Sequence, residues 1–194
     1  MSGLLLPVIS CSLDPKSQSR TLAGEATKLL TRAGHRSQLI DLRDYALPAF
    51  DNSSVFGTSD FTELHHLIEQ ADGIILATPI YNWGPSAATK SLIEATGATG
   101  DGVNTAAWFD KLVTFICSAG LPHSYMATSQ LSSSLMLDFK CVINPYVGYF
   151  SERDYTADGE LTPDRRMRLE KTVAVHAELA ELLSQRRYTS TWEV

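Results

Sequence analysis

The sequence predicts an α/β protein built on a doubly wound parallel sheet of five strands with helices on both faces, and three observations carry that prediction. Short apolar segments of strand length alternate with amphipathic segments of helix length along the 194 residues, the pattern of successive βαβ units joined by right-handed crossovers. Gly73 to Thr78, GIILAT, is a continuous apolar run rich in β-branched residues, as expected of a strand buried on both faces. Three strands run directly into loops rich in small, hydroxylated or aromatic residues: Ser10 to Ser19, Pro79 to Pro85, and Cys117 to Pro122. Doubly wound sheets bind ligands beyond the C-terminal ends of their strands, where these loops would lie together.

Taken in order, Leu4 to Ile9 forms the first strand. It ends in four serines within ten residues, Ser10, Ser12, Ser17 and Ser19. Leu22, Ala23, Ala26, Leu29 and Leu30 then recur at helical spacing, so Thr21 to Ala33 is a helix, with Gly34 as its stop. Ser37 to Leu42 is a strand, and Arg43 to Ser59 is irregular around Pro48. Phe61 to Ala71 is a helix opened by Ser59 or Asp60. After Gly73 to Thr78 and the loop PIYNWGP, Ser86 to Ala95 is helical and Gly97 to Asn104 is a glycine-rich connection. Lys111 to Cys117 is the fourth strand, Ser124 to Leu137 a helix, and Lys140 to Ile143 the fifth strand. Val147 to Leu161 reads as an aromatic arm containing an Asp158-Gly159 turn. Thr162-Pro163 opens a last helix that runs to about Arg187, with Thr162 as cap and Pro163 at its first position. The whole chain, 1–194, reads as one domain.

Composition removes several classes. Apolar residues make up 44%, enough for a full core, and the net charge of −6 with no basic cluster argues against nucleic acid. No apolar stretch approaches the roughly 20 residues of a membrane-spanning helix. No Lys or Arg precedes Lys16, so a signal peptide's basic segment is missing. Cys11, Cys117 and Cys141 lack metal-ligand spacing and read as reduced thiols of a cytoplasmic protein. His65 and His66 are adjacent and cannot share a helix face, so no metal pair is expected.

A strand followed by a polar loop and a helix N-terminus is how many α/β proteins hold phosphate. The loop after strand one is neither a Walker A, which ends in Gly-Lys-Ser/Thr, nor a dinucleotide fingerprint, which needs glycines between Ser10 and Ala23. A phosphatase loop starting at Cys11 would need arginine where Ser17 stands. The anion would be held by serine hydroxyls and free backbone N–H groups, which suits a phosphate monoester that stays bound. The plainer alternative is that Ser17 or Ser19 merely caps the helix. No catalytic triad or carboxylate pair is evident.

At these loops the chain resembles the NADPH-dependent FMN reductase family of flavodoxin-like flavoproteins. The family pattern Gly-Ser-x-Arg-x-x-Ser-x-Ser/Asn is met here by Cys11-Ser12-Leu13-Asp14-Pro15-Lys16-Ser17-Gln18-Ser19. Its Pro-x-Tyr-Asn-x-Ser-x-Pro/Ala is met by Pro79-Ile80-Tyr81-Asn82-Trp83-Gly84-Pro85-Ser86. Ser118-Ala119-Gly120 after the fourth strand matches as well. The resemblance implies strand order 2-1-3-4-5 and an FMN cofactor. Ser10, Ser12, Ser17, Gln18 and Ser19 would then lie at the phosphate. Pro79, Ile80, Tyr81, Asn82, Trp83 and Gly84 would bracket the ribityl chain and ring edge, and Ser118, Ala119 and Gly120 would approach the pyrimidine side. It implies an enzyme in which NADPH or NADH reduces flavin, quinone or another small acceptor, with the flavin carrying the chemistry. A homodimer or homotetramer is implied too, with contacts from Tyr146 to Tyr155 and from Pro48 to Phe56.

Two positions depart from the family pattern. Asp14 stands at the arginine, which leaves the choice between NADPH and NADH open, with Lys16 or Arg20 available to offset its charge. Gly84 stands at the serine of the second loop. These departures keep alive two other classes, a flavodoxin-like electron carrier without NAD(P)H turnover and a flavin-free regulatory relative.

Overall fold

The computed structural model describes residues 3–98 and 105–192. The connection expected from Gly97 to Asn104 therefore falls largely outside the described residues. The main strands are β1 (Val8–Ser10), β2 (Leu39–Asp41), β3 (Gly73–Tyr81), β5 (Leu112–Ala119), β6 (Val142–Ile143) and β7 (Gly148–Ser151). A two-residue strand, β4 (Gly84–Pro85), folds back antiparallel on β3. The helices are α1 (Gln18–Arg32), α2 (Ser59–Gln70), α3 (Ala87–Gly97), α4 (Ser129–Phe139) and α5 (Pro163–Leu183). The sheet runs β2-β1-β3-β5-β6, all parallel, which is the predicted order once the β4 hairpin arm is set aside.

The fifth strand departs from the expected one. It is split: β6 pairs with Leu112 and Val113, and β7 pairs with Ile116 to Ala119 further along the same neighbour. Asn144 and Pro145 cause the break. Asn144 is fully buried, donates Nδ2–H to the Thr172 carbonyl at 3.2 Å and accepts the Tyr146 amide at 2.8 Å. Pro145 has no N–H for the ladder. The segment read as an aromatic arm thus begins as strand, and Phe150 lies wholly inside the core. The loop before α2 also turns inward: Val55 is buried, and Phe50, Phe56 and Phe61 pack edge to face. Both segments expected to make subunit contacts are thus partly built into the core.

β3 shows why its sequence is apolar without alternation. Ile74 and Leu76 face one layer, with Leu64, Ile68, Leu92, Leu131 and Trp108. Ile75 and Ala77 face the other, with Leu22, Ala26, Leu30, Leu169 and Val173. Helices α2, α3 and α4 cover the first face, and α1 and α5 the second. Helix boundaries differ from expectation where capping decides them. Thr58, not Ser59 or Asp60, caps α2 by accepting the Phe61 amide at 3.1 Å. α4 begins five residues later than expected, at Ser129, after a turn in which Ala127 N–H reaches the Ser124 carbonyl. Thr162 occupies the cap position of α5 without a side-chain bond, with Pro163 at the helix start.

One polar group is sunk in the second layer. His176 of α5 is wholly buried, its Nδ1 lies 2.8 Å from Thr114 Oγ1, and its Nε2 has no hydrogen-bond partner among the described residues. The ring lies against Gly73, where a Cβ would stand 3.1 Å from it. Burial, reinforced by nearby His35, pushes the imidazole pKa down to about 3, so the ring is neutral in the folded protein.

Candidate functional site

Because β1, β3 and β5 are adjacent and parallel, their C-terminal ends meet at one sheet edge. The Cys11 amide donates to the Ala77 carbonyl at 2.8 Å, and Pro79 stands opposite Ser118. The three loops predicted to form the site therefore share that edge.

The first loop delivers the chain to the N-terminus of α1. Ser10 is buried and its Oγ has no hydrogen-bond partner among the described residues; Ser12 is buried and its Oγ accepts the Asp14 amide at 3.2 Å. Ser17 stands at the cap position, yet makes no side-chain capping bond. Its Oγ instead lies 2.7 Å from that of buried Ser19. The first amides of a helix have no partner within the helix, so the N-terminus of α1 lacks its usual hydroxyl cap and keeps its positive end open. This excludes the plain capping reading for Ser17. No acidic residue occupies the first turn of α1. Asp14 is exposed and its carboxylate accepts the Lys16 amide at 2.9 Å. Arg20 does not offset Asp14, as expected from sequence; it pairs with Asp41 at the end of β2, which also binds Arg43 at 3.1 Å. Burial would raise the Asp41 pKa, but the hydrogen bonds from Arg20 and Arg43 outweigh it and hold the carboxyl below its ordinary value.

The second loop is tighter than expected. Pro79, Ile80 and Tyr81 belong to β3, and only Asn82 and Trp83 form the turn. Both have positive φ, 49° and 65°, as a two-residue hairpin with a type I′ turn requires. Asn accepts this conformation readily, whereas Trp is strained in it by about 1–2 kcal/mol. The strain carries an aromatic ring out to solvent: Trp83 is 65% and Tyr81 55% exposed. Replacing Trp83 with Gly, which produces the favoured Asn-Gly turn, is expected to raise folding stability by about 1 kcal/mol. Chemical denaturation of wild type and variant checks it.

The third loop leaves β5 at Ser118 and Ala119. Ser118, Ala119 and Gln18 line a small cavity of about 200 Å³ with Glu152, Tyr155 and Thr156. Trp83 and Gly84 face a different groove, shared with Lys90, Gln130 and Leu131. Gly120 is exposed beside Glu152. The structure thus gathers the predicted residues on one open edge but does not enclose them in one pocket. Leu121, Tyr125 and Met126, in the segment after β5, are exposed, as are Tyr81 and Trp83.

Other candidates separate from the site. Cys11 is buried, and its thiol is pushed up to about 12, so it is no nucleophile at neutral pH. Buried His65 lies 2.7 Å from the Thr105 carbonyl, while exposed His66 contacts Gln70. Among the described residues no group of three His, Cys, Asp or Glu side chains could hold a metal. Lys90 pairs with Glu94. Sequence reasoning missed three groups at this edge: Asp41 with its two arginines, Glu152 with Tyr155, and the hydroxyls of Thr78, Ser86 and Thr89. Only Ser86 carried a signal, as a serine directly ahead of a helix.

A parallel doubly wound sheet with an uncapped helix N-terminus and open loops at the ends of adjacent strands defines a nucleotide-binding α/β protein. The sequence profile of the NADPH-dependent FMN reductase family matches residues 5–152, and the chain belongs to that family. It is accordingly a flavin-dependent oxidoreductase with FMN as cofactor and NAD(P)H as electron donor. No curated protein matches the sequence. Among solved structures, the fold is similar to the apo form of an NADH:FMN oxidoreductase, EMOB (TM-score 0.74, 17% identity, 91% of this chain and 89% of that one). It is also similar to FerB, an NAD(P)H:(acceptor) oxidoreductase flavoenzyme from Paracoccus denitrificans (0.73, 21%, 92% and 98%). A third likeness is to RosB with bound 8-demethyl-8-formylriboflavin-5'-phosphate (0.75, 16%, 97% and 83%). At these identities the likeness is one of fold. No described helix is long and apolar enough to cross a membrane.

Proposed function

We propose that the N-terminus of α1 holds the phosphate of FMN and that the hairpin and the β5 loop flank its ring. The observation that carries this reading is the Ser17–Ser19 hydroxyl pair, which leaves the first-turn amides of α1 uncapped. The donor set fits a phosphate monoester: the hydroxyls of Ser12, Ser17 and Ser19, the amides behind them, and the Gln18 side chain at the mouth. Asp14 does not oppose the anion from inside the loop, since its carboxylate is exposed and engaged by the Lys16 amide. When bound, FMN would supply the hydride and electron-transfer chemistry. The chain's own residues bind and orient it. Pro79 and Ile80 anchor the hairpin in the sheet, Tyr81, Asn82, Trp83 and Gly84 present an edge, and Ser118, Ala119 and Gly120 offer close backbone approach from the other side.

The acceptor in this reading is a small planar molecule, flavin, quinone or similar. The exposed apolar side chains on the two loops, Tyr81, Trp83, Leu121 and Tyr125, favour stacking over polar recognition. Those exposed side chains also support a homodimer or homotetramer, and three free, buried cysteines support action in the cytoplasm.

The test is an absorption spectrum of the purified protein with FMN, followed by anaerobic titration with NADPH and then NADH. Bound flavin that bleaches with either nucleotide is the expected result, and the faster one sets the preference left open by Asp14. Binding without bleaching would return the electron-carrier reading, and no binding would remove the phosphate assignment.

A further inference from the structure

Three hydroxyls buried beneath the site make an ordered chain that the cofactor reading does not use. Thr78 of β3, Ser86 at the cap of α3 and Thr89 in its first turn are 0%, 6% and 0% exposed. Thr78 Oγ1 lies 2.7 Å from Thr89 Oγ1, which lies 2.9 Å from Ser86 Oγ, which donates to the Cys11 carbonyl at 2.8 Å. Ser86 gives its proton to the Cys11 carbonyl. Thr89 can then give to Ser86 and Thr78 to Thr89, and Thr78 Oγ1 also reaches the Pro79 carbonyl at 3.2 Å. Two amides feed the same oxygens: Ser86 N–H points to Thr78 Oγ1 and Thr89 N–H to Ser86 Oγ, each at 3.3 Å. The Ser86 amide also reaches the Pro79 carbonyl at 3.1 Å.

Cys11 sits between Ser10 and Ser12, at the start of the loop that leads to α1. Its amide is held by β3 and its carbonyl by α3, 75 residues away in sequence. The hairpin of Tyr81 to Gly84 lies between the two ends of the chain of hydroxyls, bounded by Thr78 on one side and Ser86 on the other. A buried hydrogen-bond chain restrains the segments it joins, and removing one hydroxyl takes a partner from each neighbour in a dry interior.

We propose that Thr89, with Ser86 and Thr78, is a positioning residue that locks the serine loop to the hairpin, so that neither loop moves without the other. The proposal rests on the assignment of these two loops to the FMN site. Thr89→Val keeps the shape of the side chain and removes only the hydroxyl. Hydrogen exchange on the flavin-free protein reads the lock directly. Thr89→Val is expected to speed exchange about tenfold in residues 11–17 and 81–85 together, leaving α5 unchanged, and Thr89→Ser is expected to restore it. In FMN titrations the same Thr89→Val change should raise the Kd about tenfold while shifting riboflavin, which lacks the phosphate, far less.

Ser86→Ala breaks the chain at its other end and should loosen the same two segments if Thr89→Val does not fold. Exchange that changes in only one loop, or in neither, overturns the proposal. Wild-type protein that fails to bind FMN overturns the site assignment instead, and with it the proposed consequence for affinity. The exchange result still decides whether the loops are locked.

Discussion

Replacing Ser17 and Ser19 together by alanine is expected to weaken FMN binding by about 2–3 kcal/mol, a loss of roughly 30- to 150-fold, as two charge-assisted hydrogen bonds disappear. The magnitude follows from the environment. Ser19 is fully buried, and the two oxygens are 2.7 Å apart, so a phosphate accepting from one meets the other at once. Folding stability should change little. Ser17 makes no capping bond to lose, and alanine is the better helix former at position 19. Riboflavin affinity should stay near wild type, because the proposed sugar and ring contacts lie on the other two loops. Parallel titrations of both flavins into wild type and the double variant decide the matter. An equal loss for both flavins would mean that the helix terminus is not the phosphate site.

Acidification from pH 7 to pH 5 is expected to remove about 2 kcal/mol of stability through His176 alone. The sign follows from its depressed pKa. In the unfolded chain the imidazole takes a proton near its ordinary value of 6.5; in the fold it resists down to about 3. Above pH 6.5 both states are neutral and the group costs nothing. Below that value the unfolded state gains about 1.4 kcal/mol per pH unit, until the folded pKa is reached. His176→Gln can retain a bond to Thr114 but has no titration. Urea midpoints at pH 7.5, 6 and 5 should therefore fall more steeply for wild type than for the variant. Parallel curves would show that the ring is hydrated or charged in the folded protein. FMN binding measured across the same range has to be read with this slope in mind, since loss of fold and loss of ligand would coincide below pH 6.

Asp41 shows how a charge balance can mislead when read along the chain. Arg20 lies six residues past Asp14, and in sequence it looked available to that acid. In the fold it turns to Asp41, 21 residues away, which Arg43 also holds. The cation left on the loop beside the candidate phosphate position is Lys16. Its flexible ammonium gives a weaker, less directional hold than an arginine fork. This places more of the binding on hydroxyls and amides, the groups that the serine substitutions test.

The sequence alone determined the class of the molecule, because that information is local. Buried parallel strands must be apolar on both faces, so GIILAT could be read without knowing its neighbours. Helices one and five were visible from spacing and from Pro163, and the strand order followed from the family resemblance carried by the loops at residues 10–19 and 79–86. Tertiary structure decided what depends on residues distant in sequence. Nothing local says that Asn144 spends its side chain on Thr172 and splits the fifth strand, or that Ser86 reaches Cys11. Hydrophobic periodicity is imposed by the average environment of a segment, and one sequence displays it. A hydrogen bond between residues 75 apart is imposed by where the sheet puts two loop ends, and only the folded chain contains that distance.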